Sequence, residues 1–269
     1  MNEISSNIIP VILTYNEEKN IYLTLKKLAW ADQIIVLDSF SNDKTIEIIN
    51  SFSNTTLHQR VFDNHSNQWN FALDLAKEHK PEWVLALDAD YVLTNQFVEM
   101  LPILINNLNL DAYSVPFKFM QYRKILFGNI YPNITCLFRP EKAIYIQEGH
   151  TQRLRVDGEV GISPAFIIHD DKKSLSRWLQ SQISYTDLEA QYLVDHQFVD
   201  LNIQDKLRKM IFFAPLVMLF YCLIFKGLIF SGLRGIFYTL QKVSVELLIS
   251  VRMLEKVFFK GINSDYSEF

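Results

Sequence analysis

Two aspartates stand one residue apart in Leu87-Asp88-Ala89-Asp90, directly after the apolar run Trp83–Leu87. In extended backbone alternate side chains point the same way, so both carboxylates face one site. Paired carboxylate oxygens suit a hard divalent cation, Mg²⁺ or Mn²⁺, which keeps several waters and bridges substrate phosphates. Such an ion would neutralise charge developing on a diphosphate leaving group. Asp-x-Asp also serves as an ordinary turn cap, so its setting has to carry the reading. Two further apolar runs end the same way, Ile8–Leu13 before Tyr15-Asn16-Glu17 and Gln33–Leu37 before Asp38. Acids delivered repeatedly to one edge of a sheet are costly unless they meet a cation or hydrogen-bond donors.

The elements that must position these groups follow from hydrophobic periodicity. Strands are expected at Ile8–Leu13, Gln33–Leu37, Thr56–Arg60 and Trp83–Leu87, with helices over Glu17–Leu28, Lys44–Ser51 and Asn67–His79. This alternation predicts an α/β fold with a doubly wound, mostly parallel sheet, whose ligands bind at the carboxyl ends of the strands. No Gly-x-Gly-x-x-Gly turn and no Walker A lysine occur, so neither dinucleotide nor P-loop phosphate binding is indicated. Residues 111–164 are strand-like and aromatic-rich, and from Lys173 onward the pattern is helical.

At 269 residues the chain suits one α/β domain over 1–200 and a helical appendage over 201–269. Charged residues make up 21% and the net charge is −4, which excludes a disordered chain and a basic nucleic-acid-binding domain. Cys136 and Cys222 lie far apart, which argues against a disulfide framework or a cysteine metal site. No cleavable leader opens the sequence, so the N-terminal part is expected in the cytoplasm. Met210–Phe225 carries no charge, and a second apolar stretch, Gly227–Leu240, carries only Arg234. Around them Lys206, Arg208, Lys209, Lys226 and Lys242 outweigh the acids. Basic flanks beside apolar helices favour an anionic membrane surface at the cytoplasmic face of the inner membrane, bound peripherally or monotopically. The alternative is a soluble helical subdomain that packs on the catalytic domain or on a second copy, as a homo-oligomer.

Val11–Glu18, Val36–Thr45 and Leu87–Asp90 together resemble the successive motifs of family 2 glycosyltransferases, over about Ile8–Leu93. Gln68-Trp69-Asn70-Phe71-Ala72-Leu73 is similar to the family's Gln-x-Asn-x-Ala-Leu helix. Gly149–Arg153 and His169–Leu179 resemble a bacterial branch working on envelope polysaccharide or lipopolysaccharide core. The resemblance implies a GT-A fold and inverting transfer of a sugar from a nucleotide-sugar donor, UDP-linked or GDP-linked, to a cell-envelope glycan or glycolipid. It implies that Thr14, Tyr15, Asn16, Glu17 and Asp38 hold the nucleoside, with Tyr15 stacking on the base and Asp38 accepting from a base N–H. Asp43 and Asn70 would lie near ribose or sugar, Asp88 near donor hydroxyls or metal-bound water. Asp90 would be the direct metal ligand, with His169 as a third ligand beside Asp88.

Read without the resemblance, Tyr15 serves equally as a core aromatic and Asn42-Asp43 as a helix N-cap. Two departures from the family pattern stand out: Phe40 replaces a glycine and Tyr91 replaces an acid. Inverting transfer needs a general base for the acceptor hydroxyl. Glu148 is the first candidate, with Asp170 and Asp171 as alternatives and His150 as base or as orienter of Glu148. A polyprenyl-phosphate acceptor would instead want cations, which Arg139, Arg153 and Arg155 would supply. A degenerate transferase acting as membrane scaffold or sugar-nucleotide sensor is the non-enzyme alternative.

Overall fold

The structure is a computed structural model that describes residues 7–148 and 151–259, without the side chains of Glu148 and Thr151. It divides into two compact units, Met1–Ile125 with Tyr131–Lys172 and Leu126–Ile130 with Lys173–Phe269. The helix that follows Lys173 therefore groups with the helical unit, whereas the expected boundary fell after residue 200.

The first unit is built on a seven-stranded sheet. Its parallel half comprises β1 (Ile8–Thr14), β2 (Ile34–Asp38), β3 (Thr55–Gln59) and β4 (Trp83–Asp88), ordered β4-β1-β2-β3. Ile8, Val11, Ile12, Ile34, Ile35 and Leu37 are all fully buried, so consecutive strand residues are covered on both faces of the sheet. That is why these strands read as unbroken apolar runs instead of alternating ones. Between them lie α1 (Ile21–Lys27), α2 (Thr45–Asn50) and α3 (His65–Lys77). The first of these starts four residues later than the periodicity suggests, because Asn16 takes a left-handed φ of 56° and the chain turns through Glu17 before the helix begins.

Beyond β4 the chain forms β5 (Tyr91–Leu93), α4 (Asn95–Ile105), β6 (Ala112–Val115), β7 (Phe117–Gln121), β8 (Lys124–Ile125) and β9 (Ile134–Phe138). A hairpin of β10 (Ala143–Glu148) and β11 (Thr151–Val156) follows, then β12 (Val160–Ile162) and β13 (Ile167–His169). The main sheet is completed as β12-β6-β9-β4, with β9 antiparallel to both of its neighbours. A smaller sheet, β5-β13-β7-β8, brings His169 into register with Tyr91 and Phe119. The hairpin is fixed to α3 by two interactions. Trp69 stacks on Tyr145 with ring centroids 5.2 Å apart. The Asn70 amide donates to the Tyr145 carbonyl at 2.8 Å and accepts from the Tyr145 N–H at 2.9 Å.

The second unit holds α5 (Leu175–Asp195), α6 (Ile203–Lys209), α7 (Phe213–Phe220) and α8 (Leu233–Leu254). Its core gathers Ala190, Leu193, Leu201, Val245, Ile249 and Met253. Arg208 is bonded there to Glu246 at 2.8 Å and Glu189 at 2.7 Å. Burial lowers its pKa, but hydrogen bonding and charge from Glu246 dominate and the guanidinium stays charged. No helix among the described residues is long and apolar enough to cross a membrane.

Asn70→Ala removes both bonds to Tyr145 and strands a backbone pair. Denaturant titration should show a loss of about 2 kcal/mol, and an unchanged midpoint would contradict this role.

Candidate active site

Strand register sets out the site. Thr14 pairs with Asp38 across β1 and β2, and Leu13 pairs with Asp88 across β1 and β4. Asp38 and Asp88 thus flank β1 at one edge, about 10 Å apart by strand spacing. The chain runs from β1 outward to β2 and β3, then returns to place β4 on the other side of β1. Such a switch point opens a crevice at the strand ends.

The loops after β1 and β2 are tied into one body. Asp38 is fully buried, and its carboxylate accepts from the Ser41 N–H at 2.8 Å, from the Ser41 hydroxyl, and from Gln59 Nε2 at 3.2 Å. The same Ser41 hydroxyl oxygen accepts from the Asn16 N–H at 2.7 Å, while Asn16 Oδ1 accepts from the Asn42 N–H at 2.8 Å. The Glu17 N–H donates to Thr45 Oγ1 at 2.7 Å. Asp43 accepts from the Thr45 N–H at 2.9 Å and from the Glu18 N–H at 3.3 Å. Its carboxylate therefore ties the start of α2 to the loop after β1, although the N-cap position itself is Lys44, which makes no side-chain cap bond. Thr14 is buried, whereas Tyr15 and Phe40 are each about half exposed, at 53% and 52%. Tyr15 is thus not a core aromatic. Phe40 holds a left-handed φ of 61°, the conformation a glycine takes without strain.

The Asp-x-Asp turn is held from three sides. The Thr24 hydroxyl donates to the Ala89 carbonyl at 2.6 Å, fixing the residue between the two acids. Tyr91 hydrogen-bonds Asp88, and burial, followed by the charges of Asp88 and Asp90, raises its pKa well above that of a free phenol. Its hydroxyl thus stays protonated and donates. Asp90 is 7% exposed, with Oδ2 3.0 Å from His169 Nε2. The imidazole is walled by Phe119, Tyr91 and Phe117, at centroid distances of 4.6, 5.2 and 6.2 Å. Burial lowers the His169 pKa, but Asp90, with smaller help from Asp171 and Asp88, outweighs it and the net shift is upward.

A divalent cation can be tested against this geometry. Neighbouring ligands of an octahedral ion at about 2.1 Å stand about 3 Å apart, which is the Asp90–His169 separation. Two donors are thus correctly spaced, leaving further positions to phosphate and water. Among the described residues no group of three or more His, Cys, Asp or Glu side chains is gathered as a metal site, so Asp88 does not complete a protein-only triad.

The remaining candidates are dispersed. Asn70 commits its amide to Tyr145. Glu148 ends β10, but its side chain and all of His150 lie outside the described residues. Asp170 donates its N–H to the Asp90 carbonyl and places its carboxylate 3.5 Å from Lys172. Arg139 lies over the Trp83 ring at 4.7 Å and 3.7 Å from Asp111. Trp83 opens β4 and Asp88 closes it, so Arg139 stands about 16 Å from the acidic edge. This removes Arg139 from the cations expected there. Because β9 runs antiparallel, the residue that follows it emerges at the opposite end of the sheet.

The glycosyl transferase family 2 pattern matches residues 11–145, half of the chain. The chain is a family 2 glycosyltransferase. The S. aureus TarS fragment 1-349, crystallised with UDP-GlcNAc, superposes on this glycosyltransferase with a TM-score of 0.50 at 14% identity, covering 94% of this chain and 92% of that one. The longer TarS structure gives 0.47 at 16% identity, covering 78% of this chain, which spans only 43% of that protein. Glucosyl-3-phosphoglycerate synthase from Mycobacterium tuberculosis, solved with Mn²⁺, UDP and phosphoglyceric acid, gives 0.47 at 15% identity, covering 72% and 81% of the two chains. A search of curated protein sequences returned no match. The fold is shared with the TarS fragment.

Several residues that hold this candidate site together were not singled out by sequence reasoning. Ser41, Gln59 and Thr24 are ordinary polar residues, and their roles arise only from contacts made in three dimensions. Gln68 belongs with them: it donates to Ser39 Oγ at 3.0 Å and accepts from Arg60 at 2.6 Å. The family's glutamine-containing helix motif was the available signal.

Two outcomes follow. Phe40→Gly should be more stable than Phe40→Ala by about 1 kcal/mol, reversing the usual order, because only glycine relieves the left-handed φ. Equal melting temperatures would contradict that strain. The Asp90–His169 pair raises the folded-state imidazole pKa. Its contribution in metal-free protein is fully present below the usual value of 6.5 and is lost as pH rises through the raised value. The stability gap between wild type and His169→Gln should therefore be wider at about pH 5.5 than at about pH 9, and a pH-independent gap would speak against the pair.

Proposed function

We propose that this glycosyltransferase moves a sugar, with inversion, from a nucleoside-diphosphate donor, UDP-linked by preference, to a cell-envelope glycan or glycolipid at the cytoplasmic face of the plasma membrane. The observation that carries the reading is the register of Thr14, Asp38 and Asp88 at one sheet edge, with Asp90 3.0 Å from His169. Support for UDP comes from the TarS fragment of the same fold, crystallised with UDP-GlcNAc.

In this reading Tyr15 and Phe40, exposed on cross-bonded loops, sandwich the nucleobase and exclude water from its faces. The buried Asp38 holds the loop that presents Phe40. Asp88, hydrogen-bonded by the Tyr91 hydroxyl, accepts from donor sugar hydroxyls. Asp90 and His169 would hold Mg²⁺ or Mn²⁺, which supplies Lewis-acid neutralisation of the diphosphate leaving group. On the acceptor side Glu148, at the end of β10, takes the proton from the attacking hydroxyl. Tyr91, standing where the family places an acid, contributes a neutral donor and leaves the edge one negative charge lighter.

The test is donor turnover across a panel of sugar nucleotides with Mn²⁺ present. Asp90→Asn should lower the rate at least ~100-fold while leaving the fold intact. Full turnover in that variant would reject metal-assisted transfer. Sugar-nucleotide binding without turnover by the wild type on any acceptor would favour the sensor alternative.

A further inference from the structure

The helical unit contains two kinds of packing that imply different surroundings. Around Val245, Ile249 and Met253, in the second half of α8, bulky side chains point inward and form a core of the usual kind. From Met210 to Leu240 the arrangement is inverted. Every exposed residue in that stretch is apolar, aromatic or glycine. Phe212 is 72% exposed, Phe225 82%, Phe230 77% and Leu233 85%.

Most of the residues that face inward there are small: of the eight buried ones, Ala214, Pro215, Cys222, Gly227, Gly235 and Thr239 are small or compact, and only Leu228 and Tyr238 are large. Gly235 lies so close to Leu228 that a Cβ would fall 1.8 Å from its carbonyl oxygen, and the Thr239 hydroxyl is absorbed by the Gly235 carbonyl at 2.8 Å. Small residues at the contact and large apolar residues outward is the packing of helices solvated by lipid. In water this arrangement leaves a large unpaid apolar surface.

The shape limits how deep such a face can go. α7 continues through a π-turn at Tyr221–Phe225, reverses at Gly227 with a φ of 65°, and returns through Leu228–Ser231 into α8. Phe213–Phe225 would span about 20 Å as a helix, short of the ~30 Å hydrocarbon core. The hairpin can enter one leaflet and cannot cross. Its charges have one sign: Lys226 and Arg234 are the only ionisable groups of Met210–Leu240 apart from tyrosine and cysteine, and no acid occurs there. Both are half-buried, with the Lys226 ammonium 5.4 Å over the Tyr221 ring. Long cationic side chains that lie along apolar surface and present their heads at its margin match an anionic headgroup layer. A second copy of the chain would bring the same positive charges against one another.

We propose that the α7–α8 hairpin is a monotopic membrane-docking face that inserts its phenylalanine and leucine side chains into one leaflet of an anionic bilayer. This inference does not rest on the sugar-transfer reading, and its test contains no donor or acceptor.

The experiment is flotation of the full-length protein with vesicles of phosphatidylcholine alone, or with about 30% phosphatidylglycerol added. The chain should float with the anionic vesicles and bind the neutral ones about tenfold or more weakly. Phe225→Asp and Phe230→Asp, each at an exposed position, should each weaken binding at least ~10-fold without changing the helical circular dichroism. Phe225→Trp should give blue-shifted fluorescence with anionic vesicles, quenched by brominated acyl chains. Undiminished flotation of both aspartate variants, or an unshifted tryptophan, would overturn the insertion. Absence of flotation together with a dimer that these aspartate substitutions dissociate would assign the face to a second copy instead.

Discussion

Burying a carboxylate at the end of a central parallel strand is the constraint on which the edge of this sheet depends. Asp38 is 0% exposed, and a buried charge costs several kcal/mol unless donors replace its water. Ser41 and Gln59 supply them. To bring the Ser41 N–H and hydroxyl back onto Asp38, the chain must turn within two residues, and Phe40 pays with a left-handed backbone. The same hydroxyl then accepts from Asn16. One charge thus fixes the loop after β2, and through it the loop after β1.

The other side of the site is made differently. Asp90 follows β4 directly, but its partner His169 comes from β13, brought across by antiparallel pairing with β5. Aromatic rings wall the imidazole, and its Nδ1 is buried without a hydrogen-bond partner among the described residues. Aromatic packing and the single hydrogen bond from Nε2 to Asp90 together set the orientation of the ring. The parallel block therefore organises the Asp38 side of the edge, and the small sheet delivers His169 to Asp90. The helical unit is built differently again, with large apolar side chains exposed over Met210–Leu240 and a core of the usual kind around Val245, Ile249 and Met253.

Much of this was legible in the residues. β1, β2 and β4 are buried on both faces, so each reads as an apolar run, and the polar residue that ends each run marks the edge. Asp38 and Asp88 do end β2 and β4 on either side of β1, as that pattern implies. What escaped depended on direction and distance. Arg139 was misplaced because nothing local in Ile134–Phe138 states that β9 runs against its neighbours. Asp43 shapes the start of α2 and Asn70 pins Tyr145. Sequence spacing does not announce either bond. Thr24 has no distinguishing pattern, and Ser41, though inside the Val36–Thr45 motif, does not announce its partner; those partners lie 65 and 25 residues away.

The central claim is that the edge formed by Asp38, Asp88 and Asp90 binds a nucleoside diphosphate together with a divalent cation. Calorimetric titration of the full-length protein with UDP, in Mn²⁺ and again in chelator, tests it most directly. The account predicts saturable binding with Mn²⁺ that weakens at least ~10-fold in chelator. Binding of equal strength in both conditions, or none in either, would contradict it.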